Sequence, residues 1–568
     1  MVATPGTLST QFEIASEGDF TQGYHGLFVQ DDWRVNDKLT VNGGVRFEIN
    51  GGMSESQNRN LGPFDFTSAS PVEAQARAAY ALNPIPEVSP AAFAVKGGLT
   101  FADGPANETV TKVLPRVAGS YLIDERTVVR AGVGLFSYDY FFENINQAGY
   151  SQATPVLVTN DQGLTFTGAT LSNPLPSGGL IQPVGSALGL SSQLGQALGT
   201  QYYSERESPY YTRWEASVQR DLGQGWVLGL TYLGSRGRKL PVVQAINGVP
   251  TQYLSTQRTR DAANNTFLTA PVANPFAGLL PGSGMNGATT PRSNLLKAYP
   301  HFAAISIERY EGSDSYNAGT IQLQKRFRNG NSLSTQYTRS SLHDKLNYLN
   351  PSDGILEDRI SPNDRPDRFS IGSVVRLPFG KDERWGSNWG ALTDAILGGW
   401  QVSTTYQYQS GAPLTWGNVY YNESCGSPLN LKSNIGEKVS GGIAGLDVPA
   451  WDLSCFYFSD SLVQSGGAVN PALQRADQRI ALVNNLRYFP STLPDVRTDD
   501  IHLLDIGLSK NFVLPRNMRL QFRLEAINAL NYTVLWAPNV TPSAANFGMI
   551  TTDRNSPRDF QLGLRFTF

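Results

Sequence analysis

Apolar and polar residues alternate with a period of two through much of this chain. The closing stretch "DFQLGLRFTF" shows it most cleanly: Phe560, Leu562, Leu564, Phe566 and Phe568 take every second position, with Gln561, Gly563, Arg565 and Thr567 between them. Such spacing puts one kind of residue on each side of an extended chain and predicts a two-faced strand. Six strand pairs precede it. "GYHGLFVQDDWRV" and "KLTVNGGVRFEIN" are joined by "ND", and "LPRVAGSYLI" and "TVVRAGVGLFSYDY" by "DER". "YTRWEASVQRDL" and "WVLGLTYLGSRG" are joined by "GQG", and "YNAGTIQLQKRF" and "SLSTQYTRS" by "RNGN". Within that last turn Asn329-Gly330 is a strong hairpin signal, since both residues tolerate positive φ. "RFSIGSVVRLPF" and "GWQVSTTYQYQSG" are separated by the longer stretch 380–398, whose "ALTDAILGG" predicts a turn or two of helix. "IHLLDIGLSKNFVL" and "MRLQFRLEAINAL", joined by "PRN", bring the count with the last strand to thirteen.

The connections say more than the strands. Between the pairs lie long segments, about 50–111, 141–208, 241–314, 341–366, 417–499 and 531–557, rich in Gly, Pro, Asn and Ser. Short and long connections alternate without exception. A β-sandwich has no reason to obey that rule, whereas a membrane barrel has short turns on one side and long loops on the other. The strands, about nine to fourteen residues each, also suit the roughly 9–11 residues that cross a bilayer at a tilt. Aromatic residues gather at both ends: Trp33, Tyr121, Trp226, Phe327, Phe379 and Phe512 near the short turns. Phe136, Tyr138, Tyr211, Trp214, Tyr232, Tyr316, Tyr337, Tyr406 and Tyr408 lie near the long loops. Two such belts suit the two headgroup interfaces. Arg46, Arg130, Gln219, Gln322, Gln324, Arg376, Gln407, Gln521, Arg523 and Arg565 occupy the alternate face, which a polar lumen accepts and hydrocarbon does not. The expected fold is all-β: an antiparallel transmembrane β-barrel with short periplasmic turns and long extracellular loops. Residues 1–23 are expected to be irregular, and 24–568 to form the barrel domain.

Composition changes this picture little. The chain has 568 residues, 16% of them charged, and a net charge of −3, which offers no footprint for nucleic acid. No run of eighteen apolar residues occurs, so no helical span is expected. A mean hydropathy of −0.26 reads as soluble, yet alternating barrel strands average to the same value. The start "MVATPGTLSTQFEIAS" lacks the basic and apolar regions of a secretory signal. Cys425 and Cys455 are the two cysteines, and either a disulfide within one loop or two separate thiols fits the sequence.

At this point the residues resemble a known family, the barrel of TonB-dependent outer-membrane receptors of the Oar-like group. The matching stretches include "GLFVQDDWRVNDKLTVNGGVRFE", "SPYYTRWEASVQRDLGQGWVLGLTYLGSRGRKL", "DRPDRFSIGSVVRLPFG", "ILGGWQVSTTYQYQSGAPLT", "LQFRLEAINALNYTV" and "FGMITTDRNSPRDFQLGLRFTF". The resemblance implies a Gram-negative outer-membrane protein that captures a ligand in its loops and passes it inward with energy from the TonB complex. It implies a barrel of about 22 strands closed by an N-terminal plug. No cofactor, metal or catalytic activity is expected. Outer-membrane lipid, the assembly machinery, TonB and an unidentified ligand are the expected partners. The terminal Phe568 resembles the aromatic signal that the assembly machinery reads. No plug, TonB box or regulatory-like domain is visible in the sequence, so a C-terminal portion of such a barrel is the expectation. Strand parity argues the same way: the first and last of thirteen strands run in the same direction, whereas bacterial barrels close antiparallel. A passive porin-like or adhesin-type barrel is the alternative.

Other chemistry is thin. His25, His301, His343 and His502 have no metal-spaced partners, which disfavours an outer-membrane hydrolase. Gly282, Gly284 and Gly287 form a GxGxxG that follows Pro281 instead of a strand, so it reads as loop glycine. Asp353, Glu357, Asp358, Asp364 and Asp367 crowd one loop and admit calcium binding. The interleaved Arg359, Arg365 and Arg368 predict internal ion pairs instead. Loop aromatics Tyr202, Tyr203, Tyr420, Tyr421, Trp451, Phe456 and Tyr457 suit stacking on a sugar or a hydrophobic ligand, and equally ordinary loop packing.

Overall fold

The computed structural model describes residues 8–105, 108–137, 147–159, 178–202, 207–257, 261–327, 330–381, 383–422, 425–426, 429–456, 482–542 and 544–568, with Asp161, Leu164, Thr165, Ser172 and Leu175. Thirteen strands follow one another in a single antiparallel meander. They are β1 Tyr24–Arg34, β2 Leu39–Asn50, β3 Val110–Asp124, β4 Thr127–Ser137, β5 Tyr210–Gly223, β6 Trp226–Ala245 and β7 Ala304–Arg326. The path continues through β8 Ser332–Lys345, β9 Asp367–Arg376, β10 Trp400–Gln409, β11 Ile501–Val513, β12 Arg519–Ile527 and β13 Asp559–Thr567. Every strand pairs with its sequence neighbours, as the alternation of short and long connections predicts. Two short strands join the same sheet: Ala197–Tyr202 runs parallel to the start of β7, and Arg359–Ile360 pairs with β8. Among the described residues no pairing joins β1 to β13, so the sheet is open between them.

The short turns follow from their residues. Between β5 and β6, Gln224 and Gly225 have φ of +53° and +80°, the left-handed pair of a two-residue hairpin. A Cβ on Gly225 would lie 2.2 Å from the Arg326 carbonyl oxygen of the adjacent strand, so glycine is required. The longer connection of β9 to β10 contains α1, Ala391–Leu397, within the expected helical stretch.

Register divides the wall into two faces. Leu508, Leu524 and Leu562 stand opposite one another on β11–β13, as do Asn511 and Gln521, and Gln521 and Arg565, one pleat apart. Apolar residues therefore predominate on one side and polar residues on the other. The apolar side is exposed in mid-wall as well: Ile321 is 52% exposed and Val133 46%. No helix among the described residues is long and apolar enough to cross a membrane.

Two expectations need correction. Within 1–23, Leu8–Ile14 is a strand paired with Gln152–Thr159, and Phe20–Thr21 pairs with Ser54–Glu55. Their partners lie far downstream with no short turn to announce them. Phe136, Tyr211 and Tyr316 also leave the outer aromatic belt. Phe136 and Tyr211 are paired in register, Tyr316 opposes Ser235, and all three stand on the polar face. Counting from Trp214 shows why, since three residues separate it from Tyr211 and odd separations cross the sheet.

The buried core lies in the long loops. One cluster joins α2 (Glu73–Leu82) to α3 (Ala262–Thr269) through Tyr80, Phe93, Phe276 and Leu295. A second packs Leu61, Phe64 and Leu99 against Phe302, Ile305 and Ile307, at the start of β7. The third gathers Trp416, Trp451, Phe456, Phe489, Val496 and Phe547 above β10–β13.

Candidate functional site

Two concave regions bracket the wall. On the polar face of β2–β5 lies a groove of about 440 Å³, floored by Ala118 and Gly132 and edged by arginines. On the apolar face, at the upper rim of β9–β11, a cavity of about 600 Å³ lies under the loop residues 434–437 and 494–500.

The rim cavity is built by the strand ends and by the loops that leave them. The Asp500 carboxylate accepts hydrogen bonds from the Tyr408 hydroxyl (3.1 Å) and the Gly411 amide (2.8 Å). The Tyr406 hydroxyl lies 3.0 Å from His502 Nδ1, and the His502 ring is 4.9 Å from both Tyr408 and Tyr532. Asp499 accepts from the Leu535 amide (2.9 Å) and the Tyr532 hydroxyl (3.4 Å). Burial pushes the Asp499 carboxyl above its ordinary range. Burial, with the Asp499 charge beside it, pushes the Tyr532 phenol up to about 12. These groups can donate and accept hydrogen bonds around a polar ligand, and their rings can stack on it.

The acidic segment 353–368 does form ion pairs, but with cations from elsewhere. Asp364 pairs with Arg497 at 2.8 Å, Asp358 with Lys345 at 3.1 Å, and Asp367 with Arg339. Arg359 reaches Asp344 at 2.8 Å, while the Glu357 carboxylate accepts from the Ser491 amide at 2.8 Å. Internal pairing is thus replaced by ties between β8, the segment and loop 494–500. Among the described residues no group of three or more His, Cys, Asp or Glu could hold a metal.

Trp451 and Phe456 lie inside the third cluster instead of facing solvent, with Tyr420 and Tyr421 packed against it. Tyr138, Tyr203, Tyr457 and Asn329 lie outside the described residues, as does the side chain of Tyr202. His301 is fully buried beside Phe302, with Nε2 3.2 Å from the Gly97 carbonyl oxygen. Gly284 and its neighbours form a single 3-10 turn capped by Ser283. Cys425 and Cys455 are joined in a disulfide, with Cys455 inside the third cluster. Phe568 stands almost fully exposed at the end of β13, its ring 5.9 Å from Phe566.

Sequence reasoning missed both concavities. The polar face is legible from the alternation, but Arg116 and Arg213 come together only through register. The rim cavity draws on five segments.

No curated protein matches the chain. Among solved structures it is similar to the copper transporter OprC (9% identity, covering 97% of this chain and 49% of that one, TM-score 0.39). It is also similar to the ferric-catecholate import receptor Fiu from E. coli K12 in a closed form (9%, 96% and 45%, TM-score 0.39). A third is the pyoverdine outer membrane receptor FpvA from Pseudomonas aeruginosa PAO1 bound to pyoverdine (9%, 97% and 43%, TM-score 0.38). The chain spans a little under half of the length of each of these three proteins. The family model described as "Outer membrane beta barrel domain" matches residues 4–561. With its two-faced meander of spanning strands, the chain belongs to the outer-membrane β-barrel family and resides in the outer membrane.

Proposed function

We propose that the chain forms the wall and extracellular cap of a TonB-dependent outer-membrane transporter. Its loops capture a ligand, its polar face lines the path inward, and the TonB complex supplies energy through a plug region. Residues 24–568 act as the barrel domain, with 1–23 leading into it. The observation that carries the reading is the sidedness of the wall: a continuous polar face beneath a packed cap, backed by a bare apolar face. The Oar-like strand stretches point in the same direction. TonB dependence separates this reading from a passive porin or an adhesin. The protein captured from its native outer membrane should retain the TonB C-terminal domain and should not conduct ions constitutively in planar bilayers. Steady conductance with no TonB retention would defeat the proposal.

Two of its residues have assigned parts. Phe568 serves as the terminal aromatic that the assembly machinery reads, so its deletion should lower the yield of heat-modifiable, folded protein in cells. The Cys425–Cys455 bridge forms in the oxidising space outside the cytoplasm and holds the third cluster together.

A further inference from the structure

Some arginines of the polar face have an acidic neighbour. Arg46 is 2.6 Å from Glu48, Arg376 is 2.8 Å from Glu383 and Arg523 is 3.8 Å from Glu525. On β3–β5 three of them cluster without one. Among the described residues Arg116, Arg130 and Arg213 have no ion pair; Arg130 donates only to Gln219 (3.2 Å), and Arg116 rests on the Phe136 ring. Three exposed guanidiniums gathered on one patch are open to an anion.

Register fixes their arrangement. Gly134 of β4 stands directly opposite both Arg116 of β3 and Arg213 of β5. The two arginines therefore flank it on adjacent strands, with backbones about 10 Å apart. Arg130 lies on the same face four residues along β4, about 13 Å from Gly134. Between them Ala118 and Gly132, paired in register, leave the floor of the 440 Å³ groove almost without side chains.

The glycines make this concavity. A Cβ on Gly134 would lie 3.0 Å from the Phe136 ring and 3.1 Å from Arg116 Cγ. Glycine thus lets Phe136 come under the Arg116 guanidinium, whose carbon sits 5.2 Å from the ring centroid. Stacking holds the guanidinium plane and leaves its edge donors free. A Cβ on Gly132 would lie 3.0 Å from that of Ala118, so the floor has no room for a larger residue without a shift. Glu215 is the one acid of the lining, opposite Gly132, and it leaves the patch with a surplus of positive charge.

We infer that this groove binds a small molecule carrying two or more carboxylate or phosphate groups, with Arg116 and Arg213 taking one anionic end and Arg130 the other. Guanidinium forks match both kinds of anion in bidentate geometry. A monoanion can satisfy only one end, so affinity should climb with the number of anionic groups. The inference rests on the transporter reading only in that the polar face is the ligand's path.

Calorimetric titration of the purified full chain in detergent at low salt tests it, with citrate, inorganic pyrophosphate, acetate and glycerol as probes. Citrate or pyrophosphate should bind at least about tenfold more tightly than acetate, glycerol should not bind, and added salt should weaken both anions. Preference between citrate and pyrophosphate distinguishes a carboxylate from a phosphate ligand. Arg116→Gln and Arg213→Gln should each weaken binding about tenfold, as loss of one charge-assisted contact does. Arg523→Gln, on the same face but beside Glu525, should leave it unchanged. Heat-modifiable migration confirms folding of each variant, and Ala118→Leu, which fills the floor without touching a charge, should also weaken binding. Equal affinity for citrate and acetate, or undiminished binding in the Arg116 and Arg213 variants, would overturn the inference. Anion binding without TonB retention would remove the transporter and leave the groove, while TonB retention without anion binding would do the reverse.

Discussion

The wall and the cap use the same apolar residues in opposite solvents. Along β1 and β13, Leu27, Val29, Leu562 and Leu564 stand outward, each more than two-thirds exposed, and their polar neighbours face inward. In the cap Trp451, Phe302 and Leu268 are sealed from solvent, and polar side chains serve as brackets. Asn247, for example, donates from its amide to the carbonyls of Tyr299 and Phe302 at 2.9 Å. The cap folds as a water-soluble domain does, by removing apolar area from water. The wall gains little that way, because lipid is as apolar as its own side chains. Its order comes from ladder hydrogen bonds that hydrocarbon leaves no alternative to. Exposure therefore marks opposite things in the two regions, and mutations should divide along the same line.

The largest effect should come from the cap. Trp451 is fully buried and touches Trp416, Phe456 and Phe547, with ring centroids 5.0, 6.4 and 5.4 Å away. Trp451→Ala should cost the cap about 3–5 kcal/mol. Limited proteolysis should then nick 414–456 and 535–550 rapidly while the strands stay protected and heat-modifiable. Loss of the wall together with the cap would show that the two regions are not separable.

A wall mutation should do the converse. Leu524 faces lipid between Leu508 and Leu562, and Leu524→Arg should destabilise the wall by about 2–4 kcal/mol. Gln521→Arg, on the polar face beside Arg565, should cost far less. Unfolding midpoints in urea with lipid vesicles compare the pair, and equal losses would mean that the two faces are misassigned.

Acid should loosen the cap through His301. Burial holds its imidazole at about 4, below the ordinary 6.5, while the Gly97 carbonyl acts weakly the other way. A folded value below the unfolded one means that the neutral ring stabilises fully above pH 6.5. That contribution, at most about 3 kcal/mol, drains away as pH falls toward 4. Hydrogen exchange in the segments around Phe64, Leu99 and Phe302 should rise over this window in the native protein and much less in His301→Gln. An identical rise in both would assign the acid response to other groups.

How far the sequence discloses each region follows from the same contrast. Lipid on one side and polar surroundings on the other force period two on every spanning strand, so all thirteen are legible from residues such as Leu520, Phe522 and Leu524. Above the membrane that constraint lapses. β7 begins at Ala304, twelve residues before the alternation at Tyr316 announces it, because Ile305 and Ile307 there face a loop core instead of lipid. The cap core is illegible for another reason. Trp416, Trp451, Phe489 and Phe547 come from separate stretches with no shared period. The acids of 353–368 were readable as paired, but their partners Arg339, Lys345 and Arg497 lie outside the segment. Parity puts Arg116 and Arg213 on one face, and only register puts them beside Gly134.

The smallest predicted effect probes a place where the wall borrows the chemistry of the cap. Lys325 and Lys510 both stand on the apolar face near the short turns, each directly opposite the first residue of a strand, Trp226 and Trp400. Lys325 Nζ lies 4.8 Å from the Trp226 ring and 5.2 Å from Phe327; Lys510 Nζ lies 5.6 Å from Trp400 and 5.1 Å from Phe512. Each ammonium also donates to turn carbonyls, Gln224 for Lys325 and Gly398 and Asp394 for Lys510. The rings and carbonyls together keep a charge at the lower interface of an otherwise apolar surface. Lys510→Met should therefore cost only about 1 kcal/mol, since the lost cation–π and hydrogen bonds are offset by relief of desolvation. A double-mutant cycle with Trp400→Leu, read from urea midpoints in vesicles, should return a coupling of about 0.5–2 kcal/mol. Lys325 with Trp226 should give a similar value, because the geometry repeats. Coupling near zero in both pairs would mean that the turn carbonyls alone hold the lysines, and that the aromatic belt there meets lipid without engaging the charge.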